Sequence, residues 1–137
     1  MNVVYEDNHV IIVSKVSGEI VQGDKTGDKP LSETVKQYIK EAYAKPGDVF
    51  LGVVHRLDRP VSGLIVFAKT SKALERMNKL FKDRNVKKTY FAVVRQRPTD
   101  LEGKLVNWLI RNREKMVTKA FNKEVKDSTY AELDYTV

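Results

Sequence analysis

Cysteine is absent from this sequence, and its only two histidines are His9 and His55. The absence of cysteine excludes a disulfide scaffold, a thiolate nucleophile, a zinc ribbon and a cysteine-ligated iron–sulfur cluster. The N-terminal segment MNVVYEDNHV is acidic where a signal peptide would be basic, and no apolar run approaches the length of a membrane span. We therefore expect a soluble, cytoplasmic protein without a membrane partner.

Motifs for several common chemistries are also lacking. Neither G-x-G-x-x-G nor G-x-x-x-x-G-K-[ST] occurs, which excludes the usual dinucleotide and P-loop phosphate sites. Asp24 and Asp28 lie in a glycine-containing loop but lack the regular ligand spacing of a calcium loop. His55, Asp58 and Ser62 supply the residue types of a hydrolase triad, yet no nucleophile elbow or oxyanion loop accompanies them. The sequence places no second acid near Asp58 for a glycosidase pair.

Positive charge is unevenly distributed along the chain. The 137 residues carry a formal net charge of +7, and their hydrophobic content of 42% suits a single domain, 1–137, with its own core. Residues 49–97 have 12 basic and 3 acidic side chains, a local charge of +9, whereas residues 1–48 have a local charge of −2. This segment favours a polyanionic partner, although lysine-rich helices exposed to solvent would give the same pattern.

Short strands alternate with two amphipathic helices, which is typical of the α+β class. The first helix is predicted from Leu31 to Ala42 with a stop at Pro46-Gly47, and the second begins near Thr70-Ser71. The predicted strands are Val3–Tyr5, Val10–Val13, Val49–Val54, Leu64–Ala68, Thr89–Arg95, Leu105–Ile110, Met116–Phe121 and Thr129–Val137.

The last predicted strand alternates apolar and polar residues until the sequence ends. Ala131, Leu133, Tyr135 and Val137 fall on one face, and no turn follows them. Proteins normally protect an open strand edge of this kind. We therefore expect the natural domain to continue beyond Val137 and the fold of this chain to be incomplete.

The segment His55-Arg56-Leu57-Asp58-Arg59 is unusual because charged and titratable residues lie between two strongly apolar runs. Pro60 and Gly63 predict a turn directly after it. A carboxylate beside core strands either finds a cationic partner or shifts its pKa upward, and such groups are common in active sites. The alternative is structural, with Asp58 capping the turn and pairing with Arg56 or Arg59 at the surface.

The run HRLDRPVSGLIVFAKTSKAL closely resembles the signature of RluA-type pseudouridine synthases. Two other segments resemble family elements in order and spacing. Lys15-Val16-Ser17-Gly18 is similar to an early Lys-Pro-x-Gly element, and Lys88-Thr89-Tyr90-Phe91-Ala92-Val93-Val94 is similar to a Lys-x-Tyr-x-Ala-x-Val strand. The resemblance implies isomerisation of uridine to pseudouridine within rRNA or tRNA. It also implies a mostly antiparallel mixed sheet flanked by helices and loops.

The resemblance assigns roles to three residues. Asp58 matches the essential aspartate that attacks or deprotonates the target nucleoside, and Tyr90 matches the tyrosine that stacks on the target base. Arg56 matches the arginine that can fill the space left by a flipped nucleotide, while His55 carries no implied catalytic role. No cofactor and no metal is implied. We also expect a monomer.

Five cations are candidates for contacts with the RNA backbone, with solvated side chains as the alternative for each. They are Lys72, Arg76, Lys79, Lys87 and Lys88.

This sequence departs from the family pattern in two places. Val16 replaces the proline of the early element, and no C-terminal Gly-Arg-x-His-Gln-Ile-Arg-like segment is found, whose basic residue would pair with the catalytic aspartate. The chain alone is therefore expected to be inactive. A noncatalytic RNA-binding module that keeps the fold, an inactive fragment, and a scaffold whose basic segment meets another protein remain as alternatives.

Overall fold

The structure is a computed structural model that describes residues 1–112 and 114–137. The chain divides into two compact units, Met1–Thr89 and Tyr90–Val137. Helices occur with antiparallel strand pairs, which confirms the α+β class. The interpretation of 1–137 as one domain stays a prediction.

The first unit contains a four-stranded antiparallel sheet in the order β1-β2-β4-β3 and two helices. Its elements are β1 (Asn2–Glu6), β2 (Val10–Lys15), α1 (Leu31–Ala42), β3 (Gly52–Val53), β4 (Gly63–Ala68) and α2 (Ser71–Lys82).

The core lies between α1 and one face of this sheet. Leu31, Val35 and Ile39 recur at helical spacing on α1 and are all buried. They pack with alternate residues of β2 and β4, which point to the same face because side chains along a strand alternate between faces. The paired core positions are Ile11 with Phe67 and Val13 with Ile65.

α2 packs against β3 and β4. Thr70 caps the helix, since its hydroxyl accepts a hydrogen bond from the N–H of Ala73 at 3.1 Å, and Ala73 is buried. A Cβ at Gly52 would lie only 2.8 Å from both δ-carbons of Leu74, so the glycine allows the helix to approach β3 closely.

A mostly buried ion pair links the outer end of the sheet to the end of α1. Lys69 Nζ lies 2.6 Å from Glu6 Oε1, and their side chains are only 9% and 14% exposed. The Tyr38 and Tyr43 hydroxyls donate to the same carboxylate. Burial alone would raise the pKa of Glu6, but the hydrogen bonds from Lys69, Tyr43 and Tyr38 outweigh it and hold the pKa below its ordinary value.

The second unit contains a three-stranded antiparallel sheet in the order β6-β5-β7. Its strands are β5 (Glu102–Asn112), β6 (Val117–Phe121) and β7 (Thr129–Thr136). Trp108 and Tyr130 are opposite each other on β5 and β7, with their rings edge to face at 5.6 Å.

Two strand predictions differ from the structure. The predicted strand Thr89–Arg95 does not form, and within residues 1–112 and 114–137 no strand pairs with it. Phe91 and Val93 in this segment are fully exposed. The sequence has the side-chain pattern of a strand, but among the described residues no neighbouring strand hydrogen-bonds to the backbone of this segment. The predicted strand Val49–Val54 shortens to β3 because the chain leaves the sheet after Val53.

Among the described residues, no helix combines the length and apolar character needed to cross a membrane.

Candidate active site

Asp58 lies on the connection between β3 and β4. The N–H of Val61 donates to the Asp58 carbonyl at 3.0 Å and closes a turn around Arg59 and Pro60. Gly63, where β4 begins, has φ of 147°, a conformation that L side chains rarely adopt. The sequence-predicted turn is therefore present.

Leu57 is a partly buried residue between two exposed charged neighbours. Its side chain is partly buried and packs against the core of the first unit. Arg56 and Asp58, on either side of it, are both exposed. Both charged residues are therefore accessible to solvent.

The buried ammonium group of Lys15 donates hydrogen bonds to the backbone of the turn that begins at Asp58. The residue is 1% exposed, and Nζ lies 3.1 Å from the carbonyl oxygens of both Asp58 and Arg59. It also donates to the carbonyls of Val61 and Val16. Burial lowers the pKa of Lys15. These carbonyls supply the hydrogen bonds that a buried cation requires.

Two residues that follow Lys15 also donate hydrogen bonds to carbonyls of this turn. The N–H of Gly18 donates to the Arg59 carbonyl at 2.8 Å, and the Ser17 hydroxyl donates to the Pro60 carbonyl at 2.9 Å. Together, residues 15–18 bind every carbonyl from Asp58 to Val61. We call this set of contacts the carbonyl clamp. Gly18 has φ of 96°, which favours glycine at this position.

His55 connects the segment to β4 and α2. Its Nε2 accepts a hydrogen bond from the N–H of Val66 at 3.1 Å, and its ring stacks on Phe81 with 5.1 Å between centroids. Burial, and secondarily the positive charge of Lys88, lowers the pKa of His55.

Arg59 does not pair with Asp58. Its guanidinium binds an acidic loop, lying 2.7 Å from Asp28 Oδ2 and 3.0 Å from the Thr26 hydroxyl, with Asp24 Oδ2 at 3.8 Å. Within the part of the chain that the structure describes, the Asp58 carboxylate forms no ion pair. The surface pairing considered for Asp58 with Arg56 or Arg59 is therefore not observed.

Tyr90 is the first residue of the second unit and is 61% exposed. It lies outside any strand, so the strand position expected for it is wrong. Its proximity to a base held at Asp58 stays a prediction.

The five candidate RNA contacts are exposed. Lys72, Arg76 and Lys79 are three or four residues apart on α2 and therefore share one helix face. Lys87 and Lys88 follow the helix in the chain, before the end of the first unit.

Comparison with known proteins identifies the family. Residues 9–137 match the family described as RNA pseudouridylate synthase. The chain belongs to this family. Over 92 residues it is 36% identical to ribosomal large subunit pseudouridine synthase C of Vibrio parahaemolyticus, covering 67% of this chain and 27% of that protein. This match confirms the resemblance to RluA-type synthases.

A second relative matches more of the chain. An uncharacterized RNA pseudouridine synthase of Mycoplasma genitalium is 30% identical over 138 residues, covering 96% of this chain and 43% of that protein. The chain thus spans less than half the length of both relatives. The solved structure of human RNA pseudouridylate synthase domain containing 4 has a TM-score of 0.80 at 18% identity, covering 99% of this chain and 53% of that one, and supports the fold.

Sequence reasoning missed two features of this pseudouridylate synthase family member. The carbonyl clamp joins residues far apart in the sequence: Lys15 lies 43 to 46 positions before the Asp58, Arg59 and Val61 that it contacts. The only sequence signal for it was the resemblance of Lys15-Val16-Ser17-Gly18 to a family element. The binding of Arg59 to Asp28 had no signal beyond opposite charge.

Proposed function

We propose that this chain isomerises uridine to pseudouridine in structured rRNA or tRNA, with Asp58 as the catalytic group. This proposal replaces the expectation, based on the missing C-terminal segment, that the chain alone is inactive. The observation that carries the proposal is the carbonyl clamp on the turn that bears Asp58. Catalysis by a carboxylate depends on a closely fixed position relative to the reacting atoms. An exposed carboxylate on a fixed backbone suits this role, because RNA can reach the side chain while the turn is held in place.

The proposed reaction balances without an oxidant, a reductant or a second substrate. The N1–C1′ bond breaks, the uracil rotates, and C5 bonds to C1′ while C5 loses a proton and N1 gains one. Asp58 acts either by adding to the ribose or by removing a proton from the nucleoside to give a glycal-type intermediate. We expect no cofactor and no metal ion to take part.

Arg56 and Tyr90 are proposed to handle the target nucleotide. Arg56 is exposed two residues before Asp58, where its planar guanidinium can stack in the space that a flipped nucleotide leaves. The exposed ring of Tyr90 is available to stack on the extruded uracil. A ring that holds a base by its face leaves the base free to present either N1 or C5.

The cations of the first unit are proposed to bind the RNA backbone. Lys72, Arg76 and Lys79 form an exposed row on α2, and Lys87 and Lys88 add two further exposed charges. Their spacing along one face suits contacts with successive phosphates. An RNA substrate is consistent with the cytoplasmic location that the sequence predicts.

A second candidate is an RNA-binding module that does not convert uridine. It is favoured by one observation: no cation pairs with the Asp58 carboxylate anywhere in residues 1–112 and 114–137. The two candidates share the basic helix face and differ in whether a C5–H bond breaks.

Tritium release from RNA labelled at uracil C5 separates the candidates, because pseudouridine formation expels the C5 hydrogen. The 137-residue chain is incubated in excess with labelled rRNA and tRNA transcripts, and filter binding is measured on the same samples. We expect tritium release with pseudouridine at a defined position. Binding without release would support the noncatalytic module, and the absence of both would overturn the proposed function.

A further inference from the structure

We propose that neutral His55 is a positioning residue, which fixes where the segment carrying Asp58 leaves the sheet. The inference rests on the proposed function, because positioning is meaningful only if Asp58 acts on RNA. The structural feature that carries it is the end of the β3–β4 ladder.

The two short strands pair over only two positions. Gly52 is opposite Ala68 and Val53 is opposite Phe67, so Val54 would come next, opposite Val66. The chain departs from the sheet there instead, since β3 ends at Val53. On the other side, Val66 is opposite Ile12 of β2. Because β3 ends at Val53, this strand offers no carbonyl opposite Val66 to accept a hydrogen bond from the Val66 N–H.

The imidazole of His55 replaces that carbonyl. Its Nε2 accepts from the N–H of Val66 at 3.1 Å, so a side chain satisfies a β4 donor that would otherwise lie without a partner. The ring is fixed on its face by Phe81 of α2, nearly parallel at 18°. His55 is three residues before Asp58, and the carbonyl clamp begins at Asp58. The catalytic residue is therefore anchored on both sides.

This contact requires one protonation state. Acceptance at Nε2 needs a neutral ring with its hydrogen on Nδ1, whereas an imidazolium would point a donor at the N–H of Val66. The neighbours are a backbone amide on β4 and the Phe81 ring on α2, and the nearby charge acting on the ring is Lys88. Burial and this charge lower the pKa of His55, which favours the neutral ring at neutral pH.

Glutamine and asparagine give a matched pair of variants. The Oε1 atom of glutamine is as many bonds from the backbone as Nε2, so His55→Gln can accept from Val66 at any pH. The Oδ1 atom of asparagine corresponds instead to Nδ1, so His55→Asn keeps an amide whose oxygen is one bond too short to accept from the N–H of Val66. Both amides lose the ring that stacks on Phe81, so a role in packing alone would affect the two variants equally.

Two readouts on the full chain test the proposal. In single-turnover tritium release, His55→Gln should retain most of the wild-type rate at pH 7. It should also lack the acid-side decline that we expect of wild type as the pH falls below 6.5, the ordinary pKa of an imidazole. His55→Asn should be about ten- to a hundredfold slower, the loss expected from misplacing a reacting group by up to an ångström. Equal rates for the two variants, or an unchanged acid-side decline in His55→Gln, would overturn the proposal.

The second readout does not depend on activity. Amide hydrogen exchange by NMR should show protection of the N–H of Val66 and of Val61, which closes the Asp58 turn, in wild type and in His55→Gln. Both amides should lose protection in His55→Asn. Unchanged protection of Val61 in His55→Asn would show that His55 does not hold the turn. Failure of tritium release with this exchange pattern intact would overturn the proposed function and leave the contact established.

Discussion

Lys15 and Asp58 are 43 residues apart in the sequence, yet the ammonium group of Lys15 lies 3.1 Å from the backbone carbonyl of Asp58. The contact goes to the main chain, which leaves the carboxylate of Asp58 exposed to solvent. A buried cation thus fixes the residue without neutralising its side chain. The contact therefore restrains the backbone of Asp58 and leaves its carboxylate without an ion pair among the described residues.

The first prediction concerns removal of this buried cation. Lys15→Met keeps a long apolar side chain but leaves the Val61 carbonyl without its ammonium donor and weakens the hold on Asp58 and Arg59. We expect a loss of about 1–3 kcal/mol in the free energy of unfolding, the usual cost of an unsatisfied buried polar group. Urea denaturation measures this loss, and tritium release should slow in parallel.

Lys40→Met is the control, because Lys40 is an exposed residue on α1. It should leave both the free energy of unfolding and the rate of tritium release close to wild type. If Lys15→Met matched this control in both measurements, the carbonyl clamp would have no energetic role.

The second prediction concerns the pH dependence of stability through Glu6. The pKa of Glu6 in the folded chain lies below its ordinary value of 4.5, so the stability it contributes is present above pH 4.5 and is lost as pH falls through the folded pKa. Glu6→Gln should lower the free energy of unfolding at pH 7 by about 1–3 kcal/mol. Urea denaturation at pH 7 and pH 3 should show that this deficit shrinks in acid.

Glu75→Gln is the matched control, because Glu75 is exposed on α2. Its free energy of unfolding should follow that of wild type at both pH values. A deficit in Glu6→Gln that stayed constant between pH 7 and pH 3 would exclude the ionised carboxylate as its source.

The third prediction concerns the basic face of α2. Replacement of Lys72, Arg76 and Lys79 together by alanine should weaken RNA binding and flatten its salt dependence. Removing one phosphate-binding cation should reduce the slope of log affinity against log salt by about 0.7 to 0.9, because fewer counterions are released on binding. Filter binding across a salt series measures both effects.

A triple alanine variant of Lys40, Lys45 and Lys123 removes the same charge from other exposed positions. It should change the slope less than the α2 variant does. Identical slopes for the two variants would mean that net charge, rather than this helix face, governs RNA binding.

Elements whose boundaries depend on local signals were predicted well. Helix α1 runs from Leu31 to Ala42 as its apolar spacing and the following Pro46-Gly47 indicate. Helix α2 begins at Ser71 after the Thr70 cap, and strand β4 and the turn that begins at Asp58 are also present. These predictions succeed because helical periodicity, caps and turn residues act within a few positions.

Features that depend on distant partners were not predictable. The segment Thr89–Arg95 has the side-chain pattern of a strand, but a strand also needs a neighbour for its backbone, and the pattern does not reveal whether one is available. Likewise, the choice of Arg59 between Asp58 and Asp28 depends on how a loop folds back. The exposed position of Asp58 follows from Leu57 taking the inward site, which required the packed core.

The most direct test of the account is single-turnover tritium release by Asp58→Asn. The swap is nearly isosteric, and because the carbonyl clamp binds only the backbone, folding and RNA affinity should remain close to wild type. Asp48→Asn, at an exposed position, is the control and should convert uridine normally. We predict that Asp58→Asn binds RNA but releases no tritium, whereas release at the wild-type rate would contradict the assignment of Asp58 as the catalytic group.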